Sequence, residues 1–414
     1  MTDNTLQLMA SVVPATFRVK MARTLRRLAK IQASGHRFFF GAIDAYDDKR
    51  AAWTVSDGVP MLNFCTYSYL GLLKHDYIQH QAQKALEHYG TGTHGVRLLG
   101  GNLTVHEQLE RKIASFFGRD DAITFTSGFM TNLTVVDSMV SKGDYIFCDE
   151  RNHASIMDGC RISGATTLKF HHNDLKELEE KIASAPATAR KLIVVDAVYS
   201  MDGDIAPLPA LLNIRNRYPN CMLMVDEAHS FGVIGNNAKG IEEHFNCRGQ
   251  IDILMGTLSK TVPSQGGFIA ANADIINYLR YSARGFIFSA AISPVSAAAA
   301  LAAFEVIEQE GPGRRLRLMR NVSYFLTRLR EEGFDIGNTE TAIIPILMST
   351  EAKAFEMARY CHEQGVFAMP VGYPAVPKGA ERLRMNVTCD HRQSDLDHAL
   401  QVLIQAREHV RSTI

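Results

Sequence analysis

Three stretches of this chain are almost continuously apolar, and each ends abruptly in polar residues. They are KLIVVDAVYS at 191–200, CMLMVDEAHS at 221–230 and DILMGTLSK at 252–260. A strand with one wet face alternates apolar and polar residues, so unbroken runs fit parallel strands buried on both faces. AITF at 122–125, YIFCDE at 145–150 and GFIAA at 267–271 add shorter strand patterns. Helical periodicity separates them, with residues 76–90 reading as a helix and TVHEQLERKIASFF at 104–117 as a strongly amphipathic one. Strands alternating with helices imply an α/β fold with right-handed crossovers and a mainly parallel central sheet.

The flanks have a different texture. Residues 16–33 read as a basic amphipathic helix, followed by an irregular stretch to about 60. That helix suits a solvated face packed on the body; a membrane-surface or carrier-protein contact is the second reading. From about 293 an Ala-rich helix, SPVSAAAALAAFEVIEQEG, is followed by a basic helical stretch, RRLRLMRNVSYFLTRLREEG. Short strands near 343–348 and 383–388 and helices at 351–364 and 393–410 come next. The expected organisation is an N-terminal helix and arm over 1–60, a large domain over 61–292 and a smaller α+β domain over 293–414.

Composition narrows the function. Lys plus Arg and Asp plus Glu number 44 each, so no basic excess points to nucleic acid or an anionic membrane. No run approaches the ~20 apolar residues that span a bilayer. Asp3 precedes the N-terminal apolar stretch and Pro14 interrupts it. The charges of Arg18, Lys20 and Arg23 follow it, unlike a signal peptide. The seven cysteines are scattered, with no CxxC pair, which suits a reducing cytoplasm and argues against a disulfide framework or a zinc site.

In an open α/β sheet, ligand-contacting residues collect at the carboxyl ends of the strands. Here those ends carry Ser127, Asp149 to His153, Ser200, Asp226 to His229 and Thr257 to Lys260. A lysine in a Ser/Thr/Gly-rich turn after a strand is suited to bonding a carbonyl cofactor, although most lysines are simply surface residues. A buried Asp226 suits a protonated pyridine nitrogen; a ribose, a metal or a helix cap are its other readings. Ser127-Gly128-Phe129, between a strand and a helix, suits a phosphate, or only a turn. His153 and His229 suit stacking and hydrogen bonding to a ring, or structural roles. Arg384 suits a carboxylate clamp, or a surface strand position.

The ordered set NFCTYSYLGL, GTGTHGVRLLGGNLTVHEQLE, FTSGFMTN, DERNHASIMDG, VYSMDGDIAPL, VDEAHSFGVIG, GTLSKTVPSQGG and LRMNVTCDH resembles the α-oxoamine synthases from about Asn63 to the C-terminus. The resemblance implies the fold-type I architecture and a pyridoxal 5'-phosphate enzyme that condenses an amino acid with an acyl thioester and releases carbon dioxide. It makes Lys260 the cofactor-bearing lysine, Asp226 the partner of the pyridine nitrogen and His153 the stacking histidine. His229 would contact the cofactor oxygen. Ser127, Gly128, Phe129, Thr257 and Ser259 would surround the phosphate, with Ser200 among the cofactor contacts. Arg384 would bind the amino-acid carboxylate and Tyr67 would face the substrate. Ser289 matches a segment that reaches a neighbouring subunit, implying a homodimer.

Tyr67-Ser68, Val96, PSQGG and the Thr388-Cys389-Asp390-His391 tail depart from the common pattern. They leave the amino acid open among serine, alanine and glycine, and the acyl carrier open between coenzyme A and an acyl-carrier protein. Another fold-type I enzyme, an aminotransferase or aldolase-like lyase, is the competing reading. A non-catalytic homologue is disfavoured because Lys260 is present. A nucleotide-binding enzyme lacks its glycine motifs here.

Overall fold

The computed structural model describes residues 14–33, 41–47 and 51–414. The N-terminal apolar stretch before Pro14 therefore lies outside the described residues, as does part of the arm expected up to residue 60. The chain groups into two compact units, one of Met1–Asn63, Met348–Leu383 and Val402–Ile414, the other of Phe64–Leu347 and Arg384–Gln401.

The first unit contains the helix Ala15–Ala33 and the strands β1 (Ile43–Tyr46), β2 (Trp53–Ser56) and β3 (Val59–Asn63). The stretch read as irregular thus holds paired strands. β2 and β3 form a hairpin in which Ser56 faces Val59 across Asp57-Gly58. Both turn residues have positive φ, at 50° and 76°. That is the mirror-image turn for which an Asp-Gly pair is suited and whose twist matches the strands. The two-residue strand Val366–Phe367 runs parallel to β3.

The second unit is built on seven strands: β4 (Asp121–Phe125), β5 (Tyr145–Asp149), β6 (Thr166–Phe170), β7 (Lys191–Asp196), β8 (Cys221–Asp226), β9 (Ile253–Thr257) and β10 (Gly267–Ala271). Their spatial order is β4-β10-β9-β8-β7-β5-β6. β10 is antiparallel to both β4 and β9, and the other pairings are parallel. Six carboxyl ends therefore share one edge with the amino end of β10. Every residue of β7 and of β9 is buried, as the apolar runs required. One cluster packs Phe125, Val135, Ile146, Val194, Met224 and Ile269. Phe116, Phe117, Phe231, Phe268 and Phe304 form an aromatic group, with Phe231 and Phe304 stacked at 5.3 Å.

The Ala-rich and basic stretches are one 38-residue helix, Pro294–Glu331, capped by Ser293 and continuous through Pro312. A proline frees the carbonyl four residues back and normally kinks or ends a helix. Here that residue, Glu308, lies on the exposed side of the helix, while Phe304, Ile307, Leu318 and Val322 are buried on either side of the proline. Among the described residues no helix is long and apolar enough to cross a membrane, and all seven cysteines are free.

Gly203 turns the chain after β7 with φ +75°, and an added Cβ would lie 2.3 Å from the Ile343 carbonyl oxygen. Neither the conformation nor the backbone contact tolerates a side chain. Gly203→Ala is expected to lower stability by about 3 kcal/mol, read as a fall in the thermal midpoint.

Candidate active site

The parallel register places Asp196 directly beside Asp226. Both are buried at adjacent strand ends. The Asp226 carboxylate accepts from Asn132 Nδ2 at 2.7 Å and from the Ala228 backbone N–H at 2.9 Å. Asp196 accepts from the His153 backbone N–H at 3.0 Å, and its other oxygen is buried without a partner. Burial, and then the Asp226 charge, push the Asp196 carboxyl well above the usual range. Two adjacent buried carboxylates do not both ionise readily. Asp226, with two donors, is the one that carries the charge.

Lys260 follows β9 on a half-buried turn. Its Nζ lies 2.9 Å from His229 Nε2, and His229 Nδ1 lies 2.8 Å from the Tyr69 hydroxyl. Burial lowers the lysine from its ordinary 10.5 to about 8, against the pull of Asp226 and Asp196. Burial, then the Lys260 and Arg384 charges, hold His229 well below the ordinary histidine value, so it is neutral. Burial also raises the Tyr69 phenol, which keeps its proton. The result is a line from Tyr69 through a neutral imidazole to an amine that titrates near neutrality.

Tyr67 is 40% exposed, and its ring has two cations beside it. Lys260 Nζ is 5.7 Å and Arg384 Cζ 5.2 Å from the ring centroid. Arg384 is buried, donates from Nε to the Ser200 carbonyl at 2.6 Å, and keeps Nη2 buried without a partner. An unpaired buried guanidinium donor is costly unless an anion arrives. Ser200 thus enters the site through its main chain.

The helix Gly128–Met139 begins where β4 ends, and Ser127 caps it by accepting from Met130 N–H at 3.1 Å. A Cβ on Gly128 would fall 2.9 Å from Thr257 Oγ1. Glycine therefore lets the helix start approach the hydroxyl pair of Thr257 and Ser259, which are 2.9 Å apart. Free N–H groups, a helix dipole and two hydroxyls suit a phosphate. Phe129 is exposed with its ring 6.3 Å from that of His153. With Lys260 and the charged Asp226, these groups fit a phosphorylated aldehyde on a pyridine ring. Ser289 lines a small cavity with Arg97, Thr126 and Phe286.

The sequence did not single out Asn132, Ser155, Tyr69, Asp196 or His172, although the first three lie in motifs that it did and Asp196 lies in one of the apolar runs. His172 sits between two carboxylates, with Nδ1 3.1 Å from Asp149 and Nε2 2.6 Å from Asp204, and its ring meets Tyr199 edge-on at 4.3 Å. It ties the ends of β5 and β6 to the turn that carries Ser200. Burial depresses its basicity, but the two carboxylates more than offset this and lift it to about 9.

A model for the family described as aminotransferase class I and II matches residues 59–403. The 8-amino-7-oxononanoate synthase of Thermosipho melanesiensis is 40% identical over 359 residues, covering 87% of this chain and 91% of that protein. The serine palmitoyltransferase of Sphingobacterium spiritivorum is 39% identical over 376 residues, covering 91% and 93%. A solved structure described as SPT with its PLP internal aldimine superposes with a TM-score of 0.91 at 30% identity, over 95% of this chain and 99% of that one. Fold and site together define a fold-type I pyridoxal-phosphate transferase. The chain belongs to the class I and II aminotransferase family and, within it, to the α-oxoamine synthases, acyltransferases that condense an amino acid with an acyl thioester.

The His172 latch gives a pH prediction. Its folded pKa of about 9 lies above the unfolded 6.5. The folded state therefore holds more protons between those values, and the latch is fully present below pH 6.5 and fades as pH rises through 9. Unfolding free energies compared between wild type and His172→Gln should differ most at pH 6, by on the order of 2 kcal/mol once solvent screening of the partly exposed ring reduces the full linkage value. The gap should close towards pH 10.

Proposed function

We propose that this chain condenses L-serine, in preference to alanine or glycine, with a long-chain acyl thioester carried on coenzyme A or an acyl-carrier protein. The products are an α-amino ketone, carbon dioxide and a free thiol. The observation that carries this reading is the unpartnered Nη2 of Arg384 beside Tyr67 and Lys260, a cationic berth for an amino-acid carboxylate. The named serine palmitoyltransferases support serine and a long acyl group.

Pyridoxal phosphate, when bound, supplies an electron sink for the bonds at the amino acid's α-carbon. Lys260 would carry it, Asp226 would meet its ring nitrogen, and His153 would lie against its ring. Ser127, Gly128, Phe129, Thr257 and Ser259 would hold its phosphate. Arg384 grips the carboxylate with parallel N–H bonds and so fixes the rotation of the α-carbon. The Lys260 amine, neutral in useful proportion near pH 8, removes the α-proton. His229, neutral and in contact with both Lys260 Nζ and the Tyr69 hydroxyl, holds the amine in place without taking its charge.

The α-carbon then bonds the acyl carbon as the thiolate leaves. The α-carboxylate departs as carbon dioxide, and Lys260 returns a proton to the α-carbon. His153 donates to the acyl oxygen as negative charge develops there. Leu99, within GTGTHGVRLLGGNLTVHEQLE, and Phe288, next to Ser289, are exposed at 80% and 71%, and we assign these residues to contact with a second copy of the chain, forming a homodimer.

Lys260→Ala should abolish turnover, and Asp226→Asn should lower kcat by about a hundredfold or more with the fold intact. Arg384→Gln should raise KM for the amino acid at least tenfold, about 1.4 kcal/mol. Thiol release and carbon dioxide are measured with serine, alanine and glycine in turn, against acyl-coenzyme A and acyl-carrier thioesters. Equal rates with all three amino acids, or full activity of Lys260→Ala, overturn the reading.

A further inference from the structure

We propose that Asn132 and Ser155 are positioning residues that fix His153 as a neutral imidazole protonated only at Nε2, and that bind this choice to the charge on Asp226. The inference rests on the place given to His153 above and adds the device that sets its proton.

The chain of contacts runs through three segments. Asn132, in the first turns of the helix Gly128–Met139, is buried and makes two bonds from one amide nitrogen. One goes to Asp226 Oδ2 at 2.7 Å, the other to Ser155 Oγ at 3.0 Å. Ser155 Oγ lies 2.7 Å from His153 Nδ1, and the Ser155 backbone N–H points to the same nitrogen at 3.3 Å. The donors can be placed by elimination. The opposite amide orientation would set Asn132 Oδ1 against the Asp226 carboxylate, two acceptors 2.7 Å apart with no proton between them. Nitrogen therefore faces Asp226 and uses both hydrogens, and Oδ1 is left buried without a partner.

Having accepted from Asn132, the Ser155 hydroxyl is free to donate to His153 Nδ1. That nitrogen then receives an O–H and an N–H and has no place for a proton of its own. A neutral ring must carry its hydrogen on Nε2. A ring protonated on both nitrogens would turn Nδ1–H against the Ser155 N–H.

The surroundings agree. Asp226, Lys260 and His229 face His153 electrostatically, Asp196 takes its backbone N–H, and Phe129 meets its ring edge-on. Protein packed around the ring, followed by the opposed charges of Asp226 and Lys260, sets His153 below the ordinary histidine value. The Nε2–H is thus the one polar hydrogen the ring offers.

The test uses the holoenzyme with 15N-labelled histidine imidazoles, the His153 signals being assigned by difference from His153→Asn. Wild type should show a non-protonated Nδ1 and a protonated Nε2 from pH 6 to 8. Ser155→Ala should give exchange between tautomers and an upward move of the ring's titration. Ser155→Thr, which keeps the hydroxyl, should restore the wild-type signals. Asn132→Ala should loosen them in the same sense as Ser155→Ala. In Ser155→Ala, kcat should fall roughly tenfold with KM for the amino acid within about twofold.

A wild-type proton on Nδ1 overturns the inference. So does a Ser155→Ala enzyme with unchanged nitrogen signals, even if its thermal midpoint drops. These signals need no turnover, so their failure leaves the condensation reading standing. Full activity of Lys260→Ala would sink that reading without touching the tautomer.

Discussion

A carboxylate withdrawn from water stays charged only where donors replace the lost hydration. Asp226 meets that condition at the end of β8, and much of the site is arranged around it. Its donors come from its own chain two residues on and from Asn132 on the helix after β4. Asp196, placed alongside by the strand register, is pushed towards the neutral form by the same burial and by that charge. Lys260 and Arg384 bring positive charge to the same rim, and His229, held neutral, separates the lysine from Tyr69. One fixed anion, two cations and two uncharged imidazoles give the cavity a defined polarity before a substrate enters.

Much of this was legible from residue order. Continuous apolar runs announced a sheet buried on both faces, and the polar residues closing each run announced its working edge. His153, Asp226, His229, Thr257 and Lys260 all lie there. The direction of β10 was not legible, because five apolar residues read the same whichever way the chain runs. The change from Ala-rich to basic texture read as two successive helical stretches, and buried side chains on both sides of Pro312 carry one helix through. The Asp57-Gly58 hairpin had its signal in plain view, but its strands are too short to show a period.

The silent residues of the site share a cause. Asn132 and Ser155 carry no charge, and an amide or hydroxyl in a helix usually has only local work. Their part emerges when the helix Gly128–Met139, the turn after β5 and the end of β8 converge. His172 needs Asp204, on a separate segment 32 residues away, before its basicity means anything. Tyr69 becomes a partner of His229 only across a gap of 160 residues. Spacing reveals groups that act within one element, and long-range polar pairs stay hidden until the chain is folded.

The anchor of Arg384 is a peptide oxygen at position 200. Every amino acid supplies that atom, so genetic drift in the side chain there leaves the guanidinium's grip intact. A carbonyl dipole also steers without neutralising, unlike an acidic partner, and the cation keeps its full unit of charge for an incoming anion. Evolution can therefore remodel the lining around Tyr67 to suit different amino acids while the means of recognising their common acid group stays in place. A berth secured in this way yields chiefly to changes in the shape of the turn that presents the oxygen.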